Sequence, residues 1–399
     1  MIIKAKHKNL TVLHATPICQ PIKPNLSYGP IETIIHNIDK GVHSLGLRSI
    51  VACSGDSKVA GEHYVTIDQS SIGDYLSEHT PEWRKTRNLH LLRTLERAKM
   101  GDIDIIHVHD AKMAEYIYDR VLNMSMPIVM TLHVQARESG MEGKYYRWCN
   151  PRAKPGVYFI PISEYQKQQY NGLVNTENVV YHGIEVEDYP FKEKPDEESY
   201  LFNIGRITRD KGQDKAIELA KKTGSKLIIA GCVQNKPLDK EFFKGLKNSL
   251  DLLIDTSKYP VDKDYYDKVI KPLLDCDKQI IYIGEINREQ KKLWYRHARA
   301  TLFPIQWEEP FGLVLIESMA CGTPIIAFKK GSVPEIVVDG KTGFVVDSLS
   351  AMIQELDHIN SINPNECRRH VQSHFSIKNM ACKYSDLYQQ IIDKHKVLL

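Results

Sequence analysis

Several features that would point to a particular chemistry are missing from this 399-residue chain. Its eight cysteines, Cys19, Cys53, Cys149, Cys232, Cys276, Cys321, Cys367 and Cys382, are scattered. They form no C-x-x-C pair and no close Cys/His cluster of zinc spacing, which argues against a disulfide framework and a zinc module and leaves reduced core thiols. Long apolar runs are missing too. None approaches the ~18 residues that suggest a spanning helix, and MIIKAKHKNL lacks the apolar core of a signal peptide, so a cytoplasmic protein is expected. Neither sign of charge dominates: 53 basic residues stand against 50 acidic ones, a net charge of +3. That balance supplies no global field for holding nucleic acid, and any basic surface has to be local. The H-E-x-x-H pattern is absent, and the strand-end histidines His14, His107, His109 and His133 are far apart in the chain, so no metal site is expected.

What is present is a composition of 42% hydrophobic and 26% charged residues, that of a globular chain with a sizeable core. A prior of roughly 100 to 200 residues per domain suggests two domains. Short Val/Ile-rich runs at Leu10 to His14, Ser49 to Cys53, Ile103 to Val108, Ile128 to Leu132 and Val157 to Ile162 alternate with helix-patterned segments. This is the pattern of buried parallel strands in βα units. The alternation restarts after the charged stretch KEKPDEES (Lys192 to Ser199), read as a linker, with runs at Tyr200 to Ile204, Lys226 to Ala230, Gln279 to Ile283, Ala300 to Pro304, Pro324 to Phe328 and Gly343 to Val346. The expected architecture is α/β, two doubly wound domains in tandem, residues 1–190 and 191–375. The stretches DKEFFKGLKNSLDLLI and DYYDKVIKPLLD read as helices between strands of the second half. From Ser376, a candidate N-cap, Met380, Tyr384, Leu387 and Ile391 recur on one face of a terminal helix.

In open α/β sheets ligands collect at the carboxyl ends of strands, so the polar residues just past those ends matter most. The run EEPFGLVLIESMACGTP (Glu308 to Pro324) follows one such strand. A helix beginning near Phe311 or Gly312 offers first-turn N–H groups and the positive end of its dipole to an anion or to sugar hydroxyls. Glu309 sits at the mouth of that loop, and Glu317 stands in an apolar helix where its desolvation has to be compensated. A ribose diol would do this; a capping glutamate with a structural ion pair is the alternative. Gly205, Arg206 and Lys211 follow another strand and place two cations where a diphosphate is gripped. Gly29 and Pro30 open a helix carrying Ile31, Ile34, Ile35 and Ile38, with Gly29 permitting close approach of phosphate and Pro30 suited to the first helical position.

Taken together, EPFGLVLIE with SMACGTPII, GSVPEIVVDGKTGFVV, IGRITRDKG and IGE resemble glycosyltransferase family 4, the retaining nucleotide-sugar glycosyltransferases of GT-B fold. The likeness is strongest from Phe202 to Asp347; YGPIE, IIHVHD, TLH and PISEYQ continue it through the first 180 residues. It implies the GT-B fold, two Rossmann-like domains facing across a cleft, with the donor in residues 191–375, the acceptor in 1–190, and helix 376–399 packing back on the first domain. Glu309 would lie near the donor sugar and Glu317 at the nucleotide ribose, while backbone amides of Phe311, Gly312 and Leu313 would hold sugar hydroxyls or phosphate. Arg206 and Lys211 would neutralise the diphosphate leaving group. His133 would approach the sugar from the first domain, and His107 and His109 would line the acceptor side. No cofactor or metal is implied, nucleotide sugar being a co-substrate, and a UDP-sugar carrying glucose or N-acetylglucosamine is favoured. The acceptor would be a glycan, a lipid-linked molecule or a small molecule.

One departure stands out: where the family has Gly-Gly in its first loop, this chain has Gly29-Pro30, and Pro30 has no N–H to offer the diphosphate. Asp102 and Asp104 have D-x-D spacing but begin a strand and read as structural. Trp83 to Lys99 holds seven basic residues, counting His90, against one Glu. With Leu89, Leu92 and Leu95 at near-helical spacing it reads either as a crossover helix with a solvated basic face or as a peripheral contact with an anionic membrane. Two other readings remain open: a non-catalytic nucleotide-sugar-binding subunit, and a GT-B epimerase or phosphorylase.

Overall fold

In a computed structural model, residues 10–24, 26, 29–71, 80–110, 117, 126–134, 156–194 and 199–397 are described. The chain divides into two units, Met1–Pro24, Gly29–Gly183 and Ser376–Leu399 forming the first, Asn25–Tyr28 and Ile184–Phe375 the second. The main crossing precedes the expected linker. Lys192 is stapled into the second unit, its ammonium bonded to the Ala298 carbonyl and its N–H to that of Cys321 at 3.1 Å. Pro195 to Glu198 lie outside the described residues.

In the first unit the strands are β1 (Thr11–Ala15), β2 (Arg48–Ser54), β3 (Glu62–Ile67), β4 (Ile105–Val108), β5 (Ile128–Thr131) and β6 (Val157–Ile160). All pair in parallel in the order β3-β2-β1-β4-β5-β6, the Rossmann order, which reverses between β1 and β4. Strands β1, β4, β5 and β6 are buried along their whole length, and β2 beyond Arg48, as their unbroken apolar runs require. Sequence reading passes over β3, EHYVTI, because an edge strand exposed or half-buried over its first four residues carries no apolar run. Helix α1 (Pro30–Ser44) starts from Gly29 at φ 147° with Pro30 in its first turn, and buries Ile34, Ile35 and Ile38. The terminal helix, Ile377–Lys396, is capped by Ser376, whose side chain accepts from Asn379 N–H. It buries Met380, Tyr384, Leu387 and Ile391 as expected, adds Tyr388, and packs on α1. Asp102 is structural: it accepts from Arg97 at 2.6 Å and Arg48 at 2.6 Å, while Asp104 accepts from Thr11 N–H at 2.7 Å.

Helix α2 (Pro81–Ala98) corrects the expected leucine stripe. Leu91, Leu95 and Ala98 face the sheet, whereas Leu89 and Leu92 are 40% and 45% exposed. Arg97 is not part of a basic surface, being buried against Asp102.

The second unit has β7 (Leu201–Ile204), β8 (Leu227–Ala230), β9 (Leu252–Leu253), β10 (Ile280–Tyr282), β11 (Ala300–Phe303), β12 (Ile325–Phe328) and β13 (Gly343–Val346). They too run parallel, in the order β13-β12-β11-β7-β8-β10-β9, reversing between β7 and β11. Its helices include, after α3 (Glu164–Gln169) of the first unit, α4 (Gln213–Thr223), α5 (Pro237–Lys247), α6 (Lys271–Asp275), α7 (Arg288–His297) and α8 (Leu313–Ala320). The expected helix DKEFFKGLKNSLDLLI ends at Lys247, and Leu252–Leu253 pair with Ile281 and Tyr282 instead. The next helix opens as a π-turn over Tyr266–Ile270. Pro272 lacks an N–H and would crowd the carbonyl four residues back, and a wider turn relieves both.

Candidate functional site

Of the residues singled out in the second half, Lys211 and Glu309 meet at the β7/β11 reversal. Beyond β7, Gly205 and Arg206 lead to a single 3₁₀ turn, Arg209–Lys211, closed by Gly212 at φ 70°. A Cβ at Gly212 would lie 2.0 Å from the Pro304 carbonyl oxygen, and Gln306 N–H donates to the Asp210 carbonyl at 2.8 Å. The loops after β7 and β11 are therefore pressed together, which only glycine permits. Their approach delivers Lys211 to Glu309: the ammonium donates to Glu309 Oε2 at 2.9 Å and lies 4.7 Å from the centre of the Trp307 ring. Trp307 Nε1–H donates to the same oxygen at 3.2 Å. Arg206 donates to Gln234 Oε1 at 3.3 Å, and its carbonyl accepts from the buried Gln213.

The loop after β12 completes the hold on Glu309. Gly331 N–H donates to Glu308 Oε2 at 2.6 Å, Ser332 N–H to the Glu309 carbonyl at 2.9 Å, and Ser332 Oγ to the Phe311 carbonyl at 2.9 Å. A Cβ at Gly331 would lie 2.2 Å from Glu309 O. Phe311 is buried against Phe375, Gly312 turns the chain at φ 85°, and Leu313 begins α8. The first amides of α8 thus stand beside Glu309, where the helix dipole favours negative charge.

Glu317, one turn from the end of α8, is buried and takes three hydrogen bonds from side chains of its own unit. Lys291 donates to Oε1 at 2.5 Å, Tyr189 to Oε1 at 3.3 Å and Tyr295 to Oε2 at 3.1 Å. Burial, with the Glu317 charge second, raises both phenols well above their usual range, so they stay protonated donors. The structural ion pair left open from the sequence is thus present. Sequence reading missed Lys291, Tyr189, Tyr295 and Trp307. Lys291 stands in the charged run REQKK and the aromatics read as core, so no pattern marked them.

In the first unit the strand-end histidines gather. His14 and His107 are register partners on β1 and β4, and His109 follows β4. Their ligating nitrogens lie within 4.8 Å of one another, the set among the described residues whose donors converge enough to hold a metal ion. Adjacent strands bring this about, which sequence spacing does not encode. His107 is already engaged on both sides, by Tyr388 Oη at 2.6 Å and Thr131 Oγ1 at 2.8 Å, and is wholly buried. It ties the terminal helix to the sheet. His109 contacts His133 Nε2 at 3.3 Å through Nδ1. Burial pushes His14 and His133 down to about 4 and holds His107 and His109 well below their usual value, so all four are neutral at pH 7. Gly29 is buried at the start of α1; Ser27 and Tyr28 lie outside the described residues. No disulfide joins the described thiols, and burial raises Cys53 to about 12, which fits inert core cysteines.

Comparison with known proteins bears on the family and the fold. The profile described as "Glycosyl transferases group 1" covers residues 185–371 and that described as "Glycosyltransferase Family 4" covers 31–188. The chain is 24% identical over 329 residues, 77% of its length and 81% of the relative's, to an uncharacterized glycosyltransferase of Methanocaldococcus jannaschii. A sucrose-phosphate synthase of Thermosynechococcus elongatus shares the fold at a TM-score of 0.66 and 16% identity, over 97% of this chain and 100% of that one. Anabaena HepE, solved in complex with UDP-glucose, does so at 0.66 and 16% over 96% and 100%.

Proposed function

The chain belongs to glycosyltransferase family 4 and has the two-Rossmann-domain GT-B fold, and from that premise we propose that it is a retaining, metal-independent hexosyltransferase using a UDP-sugar. The donor sugar is glucose or N-acetylglucosamine, passed to a hydroxyl of a glycan, lipid-linked or small-molecule acceptor. The observation that carries the proposal is the Lys211–Glu309 clamp at the start of α8, held by the loops after β7, β11 and β12. Lys211 and Arg206 stabilise the charge that grows on the departing diphosphate, so the leaving group needs no bound cation. Glu309 and the amides of Phe311, Gly312 and Leu313 orient the sugar, and Glu317 meets the ribose. His133, neutral at pH 7, enters as a hydrogen-bonding partner of the donor. HepE, bound to UDP-glucose, supports the choice of base and sugar by likeness of fold.

A thermal-shift screen of UDP-, GDP- and ADP-sugars with EDTA present tests this. UDP-glucose or UDP-N-acetylglucosamine at ~100 times its dissociation constant is expected to raise the midpoint by about 5 °C or more. NMR of the product would then show the donor's anomeric configuration. No shift with any nucleotide sugar would sink the proposal.

The outward face of α2 adds a peripheral membrane contact. Leu89 and Leu92 stand exposed beside Arg84, Lys85 and Lys99, the pairing of apolar and basic groups that an anionic bilayer attracts. No helix among the described residues is long and apolar enough to cross a membrane. Sedimentation with phosphatidylglycerol vesicles should be lost in a Leu89→Asp/Leu92→Asp variant; equal sedimentation of the two proteins would dismiss the contact.

A further inference from the structure

The carboxylate of Glu317 is oversubscribed for the role of gripping a ribose. Two oxygens offer about four lone-pair sites, two each. Lys291 and Tyr189 fill both on Oε1, and Tyr295 takes one on Oε2. One site remains, whereas a vicinal diol donates two O–H bonds. One of the present donors has to yield. Tyr189 and Tyr295 are 2% and 0% exposed, core side chains that cannot withdraw without opening the unit. The Lys291 side chain is 24% exposed against 7% for Glu317, and it reaches the carboxylate along a flexible stem from the first turn of α7. Lys291 and Tyr295 are four residues apart on that helix and so share a face. Of the three donors, Lys291 alone stands on the solvent side of Glu317.

We propose that Lys291 reads the nucleotide's ribose jointly with Glu317, a vicinal hydroxyl inserting between ammonium and carboxylate. A hydroxyl is both donor and acceptor. It gives its proton to Glu317 Oε1 in the place Lys291 vacates, and its lone pair accepts from the ammonium that moved aside. The direct ion pair of 2.5 Å becomes a three-member chain, Lys291 to ribose oxygen to Glu317, with no buried charge left uncompensated. The second hydroxyl takes the remaining site on Oε2. A nucleotide lacking the inserted hydroxyl leaves the ion pair closed and forgoes both bonds. This assignment rests on the nucleotide-sugar reading of the second unit and makes Lys291 a specificity-determining residue for ribonucleotides.

Titration calorimetry tests it, with UDP, GDP and ADP on wild type, Lys291→Met and Lys291→Arg. The 2′-deoxy and 3′-deoxy forms of the tightest binder follow. Loss of a charge-assisted hydrogen bond is expected to weaken ribonucleotide binding by Lys291→Met about 10- to 100-fold, with Lys291→Arg recovering part of it. Wild type should discriminate against one of the deoxy forms, and in Lys291→Met that ratio should fall toward one. A purely structural lysine would instead weaken all three ligands by the same factor, and that outcome, or unchanged binding by Lys291→Met, overturns the proposal. Wild type binding no nucleotide at all overturns the donor reading, and this assignment with it; binding by wild type with no effect of Lys291→Met overturns this assignment alone.

Discussion

Lys211→Met is expected to lower turnover of the donor about 10²- to 10³-fold, the usual loss when one preorganised donor to a developing negative charge is removed. The ammonium has two jobs that one substitution removes together. It compensates Glu309, which is buried and whose carboxylate takes its hydrogen bonds from Lys211 and Trp307 through the same oxygen. In the proposed reaction it would also meet the diphosphate's charge as the sugar departs. The first job concerns stability, because a largely buried carboxylate that loses its partner costs about 3 kcal/mol or more. The second concerns the barrier. A double variant separates them. Lys211→Met/Glu309→Gln leaves no uncompensated charge, so its melting temperature should return most of the way to wild type while turnover stays at the single-variant level or below. Wild-type turnover in either variant would show that the clamp holds the loop and nothing more.

How legible this site was depends on whether a residue's role is set by its neighbours in the chain or by those across the sheet. The inner strands, the terminal helix and the placing of Glu309, Lys211 and Gly312 past strand ends all follow from local pattern: unbroken apolar runs, a cap, a glycine, a period of 3.6. Edge strands β3 and β9 do not, since a strand buried on one side only, or two residues long, has no run to show. Sequence pattern marks α2 as a helix but does not say which of its faces is buried. Leu89, Leu92 and Leu95 and the pair Leu91 and Leu95 are both fair helical spacings, and only packing on the sheet chooses between them. An apolar helix around Glu317 shows that it needs a donor, yet that its donors are Lys291 on α7 and Tyr189 far upstream is fixed by tertiary packing, which sequence spacing does not carry. The histidines are the clearest case. Four residues spread from position 14 to 133 become one cluster because β1 lies between β2 and β4 with His14 opposite His107.

That cluster makes the first unit sensitive to acid. His14 is wholly buried, neither ring nitrogen has a partner among the described residues, and burial, opposed only by the charge of Asp39, pushes its pKa from 6.5 down to about 4. The unfolded chain takes up a proton near pH 6.5 and the folded one does not until about pH 4. Within that window the unfolded state binds more protons, so stability falls as pH falls. Above it the residue contributes no pH dependence. A difference of two to three pH units corresponds to about 3 kcal/mol at the acid end, against a total of roughly 5–15 kcal/mol for a domain. His107 and His109, also held well below their usual value by burial and by neighbouring imidazoles, add losses of the same sign. Between pH 7 and pH 4.5 the first unit's thermal transition is therefore expected to fall by ten degrees or more. His14→Leu should flatten that slope, because it deletes the buried base without creating a new polar group. Its advantage over wild type should be greatest near pH 4.5 and smallest at pH 7. Calorimetric scans in half-unit steps decide the matter: a wild-type transition that stays put from pH 7 to 4.5 would mean that the histidines are paired in the folded state with groups that accept their protons at little cost.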